Sequence, residues 1–311
     1  MNDYAALILG VACAGFGGEL FVRGSVGLAQ WARIGPGIVG VTVAAFATSS
    51  PELSVSLNAA LAGQPRIALG DALGSNVVNV GLILGLALVI SGIPCPRSSV
   101  RRDFPVAMLI PLLTGVLFLD GELSRVDGAG LLGLFFVWLL ATVSEARKQR
   151  SVGKVPGASR GWLVVLSFVA GLGLLIAAGN LIVAGAKGIA LSFGLDELVI
   201  GATIVAVGTS VPELATTVMA KYRGHEEIGL GNLLGSNIFN GSFIVAIAAL
   251  IHPIAVDWRD VVVVLTVGFL CLGVAYPARN GFIRRSRGRL LLFIYAVYLT
   301  VVLLHPAGPG R

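Results

Sequence analysis

Charge is scarce in this sequence. Asp, Glu, Lys and Arg make up 12% of its 311 residues, against 56% hydrophobic residues, whereas soluble domains carry about 25% charged residues. With a mean hydropathy of +0.91, that scarcity excludes a soluble globular fold. Cysteine is scarce too: Cys13, Cys95 and Cys271 form no CxxC spacing, so neither a disulfide framework nor a thiolate metal site is expected. Histidine is rarer still in the apolar runs, since His225, His252 and His305 all fall at loops or span ends. A soft-metal site and the imidazole base of a serine protease are thereby disfavoured, and no HExxH motif is present. An enzyme is not expected.

Long polar stretches are the next absence. A hydrocarbon core about 30 Å thick takes about 20 apolar residues per helix, so roughly ten crossings use about 200 residues and leave short loops. Hydrophobic windows fall at 4–30, 36–62, 67–91, 104–119, 126–146, 161–190, 196–220, 227–251, 260–277 and 289–305. The expected fold class is all-α, a polytopic membrane protein of ten transmembrane helices with the lipid bilayer as its surroundings. One polar gap stands out, rich in Arg, Lys, Ser and Gly, and it divides the chain into 1–146, a linker at 147–160, and 161–311. The net charge of +6 sits in short basic runs between apolar segments, the pattern of cytoplasmic membrane loops and not of a nucleic-acid surface. No obligate protein partner is evident. No Lys or Arg precedes Arg23, so the first apolar segment lacks a signal peptide's basic region and reads as a retained helix.

What is present is repetition. Ala-Thr-Ser-Ser-Pro-Glu-Leu at 47–53 recurs 161 positions later as Gly-Thr-Ser-Val-Pro-Glu-Leu at 208–214. The same offset carries Gly70, Leu73, Gly74, Ser75, Asn76 and Asn79 onto Gly231, Leu234, Gly235, Ser236, Asn237 and Asn240. Each half holds five windows, an odd number, so the second enters the membrane from the opposite side and the repeats are inverted, the architecture of many secondary transporters. With the N-terminus outside, 17 of the 22 Lys and Arg fall in inside loops, including the linker, which is then cytoplasmic. The positive-inside rule therefore places both termini outside the cytoplasm, in a cell inner (plasma) membrane.

Glu52 and Glu213 each lie within an apolar run, directly after a proline and beside Thr-Ser pairs. A carboxylate at the bilayer centre costs about 2.5–3.5 kcal/mol on insertion scales, so a duplicated pair points to function. The proline removes a backbone donor and frees carbonyls one turn earlier, near Ala45 and Thr48 or Ala206 and Thr209. Carboxylates, carbonyls and hydroxyls together make an all-oxygen site, the preference of hard cations such as Ca2+. Ser75 with Asn79, and Ser236 with Asn240, are four apart and share a helix face. Gly70, Gly74, Gly231 and Gly235 leave a smooth strip on which the other motif helix of the same half can pack, with Glu52 near Asn79 and Glu213 near Asn240. Glu19 reads as a local ion pair with Arg23, and Asp120, Glu122, Asp127, Asp257 and Asp260 as solvated span ends. Glu226 and Glu227 favour a helix N-terminus. Asp71 reads equally as a first-turn carboxylate or a pathway residue.

These paired motifs resemble the two alpha-repeats of the calcium/cation antiporter superfamily, and most of all the compact prokaryotic sodium/calcium exchangers. The resemblance spans nearly the whole chain. It implies exchange of Na+ for Ca2+ by alternating access, with those ions as transported species and no cofactor. Glu52 and Glu213 are then the shared carboxylates, Thr48, Ser49, Ser75, Thr209, Ser210 and Ser236 complete the ion sites, and Ala45 and Ala206 are candidate backbone ligands. Asn79 and Asn240 match central polar positions where some relatives carry Asp. Ala47 in place of Gly and Asp71 in place of Asn depart from the pattern and bear on selectivity and stoichiometry. The competing readings are a proton-coupled exchanger of Ca2+ or another divalent cation, an ion channel, and an intramembrane enzyme.

Overall fold

A computed structural model describes residues 2–149, 161–192 and 206–304. Most of the expected linker (150–160), the beginning of the expected seventh span (196–205) and the last seven residues lie outside the described residues. The helices are α1 (Asp3–Ala32), α2 (Pro36–Thr48), α3 (Ser50–Leu61), α4 (Pro65–Ile90), α5 (Ser99–Asp120), α6 (Arg125–Gln149), α7 (Gly161–Ser192), α8 (Ala206–Thr209), α9 (Val211–Tyr222), α10 (Glu226–Ile251), α11 (Trp258–Ala275) and α12 (Arg285–Leu304). Seven are long and apolar enough to cross a membrane, and the bent pair α2–α3 makes an eighth. The count of ten is not reached among the described residues. Residues 193–205, just before α8, are outside them, and the 20-residue α12 opens with Arg285, Arg287 and Arg289, which shortens its apolar run.

The short connections follow from local chemistry. Asn2 caps α1, its Oδ1 accepting from the Tyr4 N–H. The α3–α4 and α9–α10 hairpins turn on Gly63 and Gly224, each at φ +74°, a left-handed conformation that residues with a Cβ resist. These two glycines are 161 apart, so the duplicated sequence makes duplicated turns. Four two-residue strands pair across the halves: β1 (Ile93–Pro94) with β4 (Phe282–Ile283), and β2 (Glu122–Leu123) with β3 (Ile254–Ala255). Beside them Arg125 Nε donates to the Leu250 carbonyl and Arg285 Nε to that of Val89, satisfying helix-end carbonyls that have no partner within the helix.

α1 and α7 lie antiparallel in close contact. Gly10, Gly17 and Gly24 recur every seven residues along the seam, facing Ile182, Leu174 and Phe168. A Cβ at Gly24 would come within 2.5 Å of the Phe168 backbone nitrogen, and one at Gly171 would collide with Phe21. Only glycine permits this approach, which brings Phe21 against Phe168 with ring centroids 4.6 Å apart and planes tilted by 31°. The remaining helices enclose α10 and the breaks in α2–α3 and α8–α9. Phe46, Phe135, Trp138, Phe239 and Phe243 form a continuous aromatic cluster beside them.

Candidate functional site

The two Ser-x-Pro-Glu segments break their helices at equivalent points. α2 stops and α3 begins at Ser49 (φ −84°, ψ 13°), with a 45° bend, and α8 gives way to α9 at Ser210 (φ −87°, ψ 9°). Pro51 and Pro212 occupy the first turns that follow, where the missing N–H costs nothing. Each glutamate thus sits in the first turn of a new helix, at the positive end of its dipole, while the preceding helix ends in carbonyls that attract cations. The carbonyl left free by Pro51 is that of Ala47, not Ala45 or Thr48, and Ser50 Oγ donates to it at 2.7 Å.

Glu52 and Glu213 are both fully buried. Glu213 Oε1 accepts from Ser49 Oγ at 3.1 Å and from Ser236 Oγ at 3.3 Å, while its Oε2 has no partner. Glu52 feels the carboxylates of Glu213 and Asp71 and the hydroxyl of Ser210, yet neither of its oxygens reaches hydrogen-bond geometry with a donor. Thr48 Oγ1 lies 3.1 Å from Asn232 Oδ1 and 3.3 Å from the Ala45 carbonyl. That carbonyl also faces Ser236 Oγ at 3.5 Å. Ser75, Ser210 and Asn240 are buried with their side-chain oxygens unpaired. Thr209 lines a cavity of about 300 Å³ with Pro51, Pro212 and Asn180.

Most of these contacts cross between the halves. The sequence pattern suggested packing within each half, and α3 does pack on α4 and α9 on α10. In addition, the Val78–Leu84 segment carrying Asn79 contacts α9, and the Phe239–Ile244 segment carrying Asn240 contacts α3. Both segments are π-helical, a local widening frequent at functional sites that nothing in the residue pattern announced. The glycine strip is filled on α10, where Gly231 and Gly235 take the backbone of Gly37 and Val41. A Cβ at Gly70 or Gly74 would meet no described side chain or neighbouring helix within 4 Å, and the segment 161 residues after Gly37–Val41 lies outside the described residues.

Among the described residues no group of three or more His, Cys, Asp or Glu gathers for a metal. The buried oxygens are instead two carboxylates, five hydroxyls (Thr48, Ser49, Ser75, Ser210, Ser236), amides and a carbonyl, a donor set suited to hard cations and to little else. A model of the "Sodium/calcium exchanger protein" family matches residues 3–143 and 163–304. The chain belongs to the sodium/calcium exchanger family. This exchanger is 34% identical to the putative antiporter CaxA of Alkalimonas amylolytica, over 94% of this chain and 96% of that one. It is 36% identical to the inner membrane protein YrbG of Escherichia coli (strain K12), over 86% of each. Its fold matches structures of the sodium-calcium exchanger NCX_Mj with a TM-score of 0.83 at 30% identity, covering 96% of this chain and 99% of the other. The exchanger is therefore a multi-pass membrane protein of a cation antiporter family, one of transporters and not of enzymes.

Other sequence expectations find their places. Glu19 pairs with Arg23 as expected and also with Arg223 at 2.6 Å, joining α1 to the end of α9. Asp257 caps α11, and Glu226 and Glu227 open α10. A polar cluster was not foreseen: buried Asp103 accepts from Arg102 and from Trp138 Nε1, and Arg102 reaches Glu145 at 2.8 Å. The links from Asp103 to Trp138 and from Arg102 to Glu145 span 35 and 43 residues, so no local pattern reveals the cluster.

Proposed function

We propose that this protein exchanges Na+ for Ca2+ by alternating access in the plasma membrane, extruding Ca2+ from the cytoplasm. Residues 1–146 and 161–311 act as two inverted five-helix units joined by a cytoplasmic linker at 147–160, with both termini outside. Glu52 and Glu213 neutralise the bound cation, while Thr48, Ser49, Ser75, Thr209, Ser210, Ser236, Asn79 and Asn240 supply the other oxygens. The observation that carries this reading is the meeting of two wholly buried glutamates, one from each half, beside hydroxyls of the opposite half. Two ionised carboxylates balance one Ca2+ or two Na+ with the same atoms, so the ions compete and exchange follows.

The two faces differ in this structure. Asn232 and Gly231 are buried, whereas their counterparts Asp71 and Gly70 are half-buried and exposed. By the positive-inside topology the Asp71 side is external. Asn79 and Asn240 are neutral and do not titrate, which favours Na+ over H+ as the coupling ion. The test is Ca2+ flux in proteoliposomes with Na+ and H+ gradients imposed separately. Uptake driven by Na+ alone is expected. Robust uptake under a pH gradient in Na+-free medium would replace Na+ by H+, and flux without any counter-ion would indicate a channel.

A further inference from the structure

The duplicated motifs contain a pair of residues to which the ion-site reading gives no part: Asn76 and Asn237, each directly after a candidate ligand serine. Asn237 Nδ2 donates to the Asn76 carbonyl at 3.1 Å, and Asn76 Nδ2 donates to the Asn237 carbonyl, also at 3.1 Å. Backbone carbonyls only accept, so each amide has one permitted orientation, its NH2 toward the opposite backbone. The orientation of Asn237 then decides that of its neighbour. Its Oδ1 meets the Asn79 amide at 3.1 Å, and because this oxygen also only accepts, Asn79 must present its NH2 there. The Asn79 Oδ1, fully buried and without a partner, is left free for something else.

We propose that Asn237 is a positioning residue that orients the Asn79 amide so that its oxygen, and not its NH2, is offered to the transported cation. A carboxamide is nearly symmetrical in shape and opposite in polarity at its two ends. Rotation by a half turn fits the same space but replaces an attractive dipole with a repulsive one, so an unguided asparagine is a poor cation ligand. Asn237 removes that ambiguity through a hydrogen bond anchored on the backbone of the other half. The same offset of 161 residues that relates Asn79 to Asn240 relates Asn237 to Asn76. Asn76 holds its Oδ1 unpartnered, and both ends of the Asn240 amide are unpartnered too. One orienting bond is made and its twin is open, so at this site Asn79 is the defined ligand and Asn240 the adjustable one.

The inference rests on the reading of Asn79 as an ion ligand, and a double-mutant cycle separates the two. A carboxylate has two equivalent oxygens and needs no orienting partner. Asn237→Leu in the wild-type background is expected to raise the half-saturating Ca2+ concentration about 10- to 100-fold, the usual loss on removing a group that orients a metal ligand, with maximal flux largely kept. In an Asn79→Asp background at pH 8, Asn237→Leu should cause no further loss. Ca2+ binding to detergent-solubilised protein, measured by calorimetry alongside thermal unfolding, gives a readout independent of flux. Equal losses of affinity in both backgrounds, tracking lost thermal stability, would reduce Asn237 to a packing residue and overturn the proposal. If Asn79→Leu itself leaves Ca2+ binding unchanged, it is the ion-site reading that fails.

Discussion

The first and second Ser-x-Pro-Glu regions share their residues but not their surroundings. Glu213 is held by Ser49 and Ser236, whereas Glu52, in the matching position, has no hydrogen bond to either oxygen. Asn79 is oriented by Asn237, whereas Asn240 has no partner at either end. Asn232 is sealed in and faces Thr48, whereas Asp71 is only partly covered and keeps Oδ2 unpaired. Duplicated sequence gives duplicated potential, and the conformation decides which copy uses it. An inverted-repeat transporter needs that inequality, because a state closed on one face and open on the other is one in which the two repeats pack differently.

The hardest blow to the comparison is to remove a carboxylate. Glu52→Gln and Glu213→Gln should each lower Na+-driven Ca2+ uptake into proteoliposomes by more than about 100-fold, since stripping one partner from a buried charge pair costs about 3–5 kcal/mol. Membrane insertion should be unchanged. Near-normal flux in either variant would take that residue out of the site.

Locking α1 to α9 should be almost as damaging to exchange while sparing binding. A Cβ at Gly18 of α1 lies 3.4 Å from that of Met219 on α9, close to the spacing of a disulfide. In a Cys13→Ala background, oxidising Gly18→Cys/Met219→Cys is expected to stop exchange reversibly and leave Ca2+ binding by calorimetry intact. Full activity in protein shown to be cross-linked would rule out movement of α1 against α9.

A smaller effect sharpens the inequality of the serines. Ser49→Ala deletes a hydrogen bond to a carboxylate, worth about 1.5–3 kcal/mol, and should raise the half-saturating external Ca2+ about tenfold or more. Ser210→Ala removes a candidate ligand whose hydroxyl is not within hydrogen-bond geometry of a partner, and should raise it by less than Ser49→Ala does. Equal effects would show that both copies are engaged alike when the ion binds.

The smallest effect belongs to the two passages. Asp71→Asn should weaken external Ca2+ affinity about twofold at low ionic strength, the order of a unit charge about 10 Å away through water (~0.4 kcal/mol). The loss should vanish at high salt. Asn232→Asp should act on the cytoplasmic face instead. Kinetics of right-side-out and inside-out vesicles distinguish the faces, and an effect that ignores both face and salt would make Asp71 structural.

The residue pattern was enough for most of the helices because each depends on neighbours in sequence, and the turns at Gly63 and Gly224, which the pattern reading passed over, are just as local. Apolar runs of about 20 residues, Pro51 and Pro212 just after Ser49 and Ser210, and Gly63 and Gly224 at the hairpins all act within a turn or two of themselves. The duplicated Glu, Ser and Asn set likewise picked out the buried oxygens, because burying such groups in an apolar span has a cost that only a purpose offsets. Sequence alone left open which half each side chain serves. That Ser49 binds Glu213, that Thr48 faces Asn232, and that Asn237 orients Asn79 are contacts between residues 158 to 184 apart. The π-helical turns at Asn79 and Asn240 are settled the same way, by the helices packed around them. Hydrogen bonds act over about 3 Å, so only the packed bundle, which brings distant residues to that range, decides them.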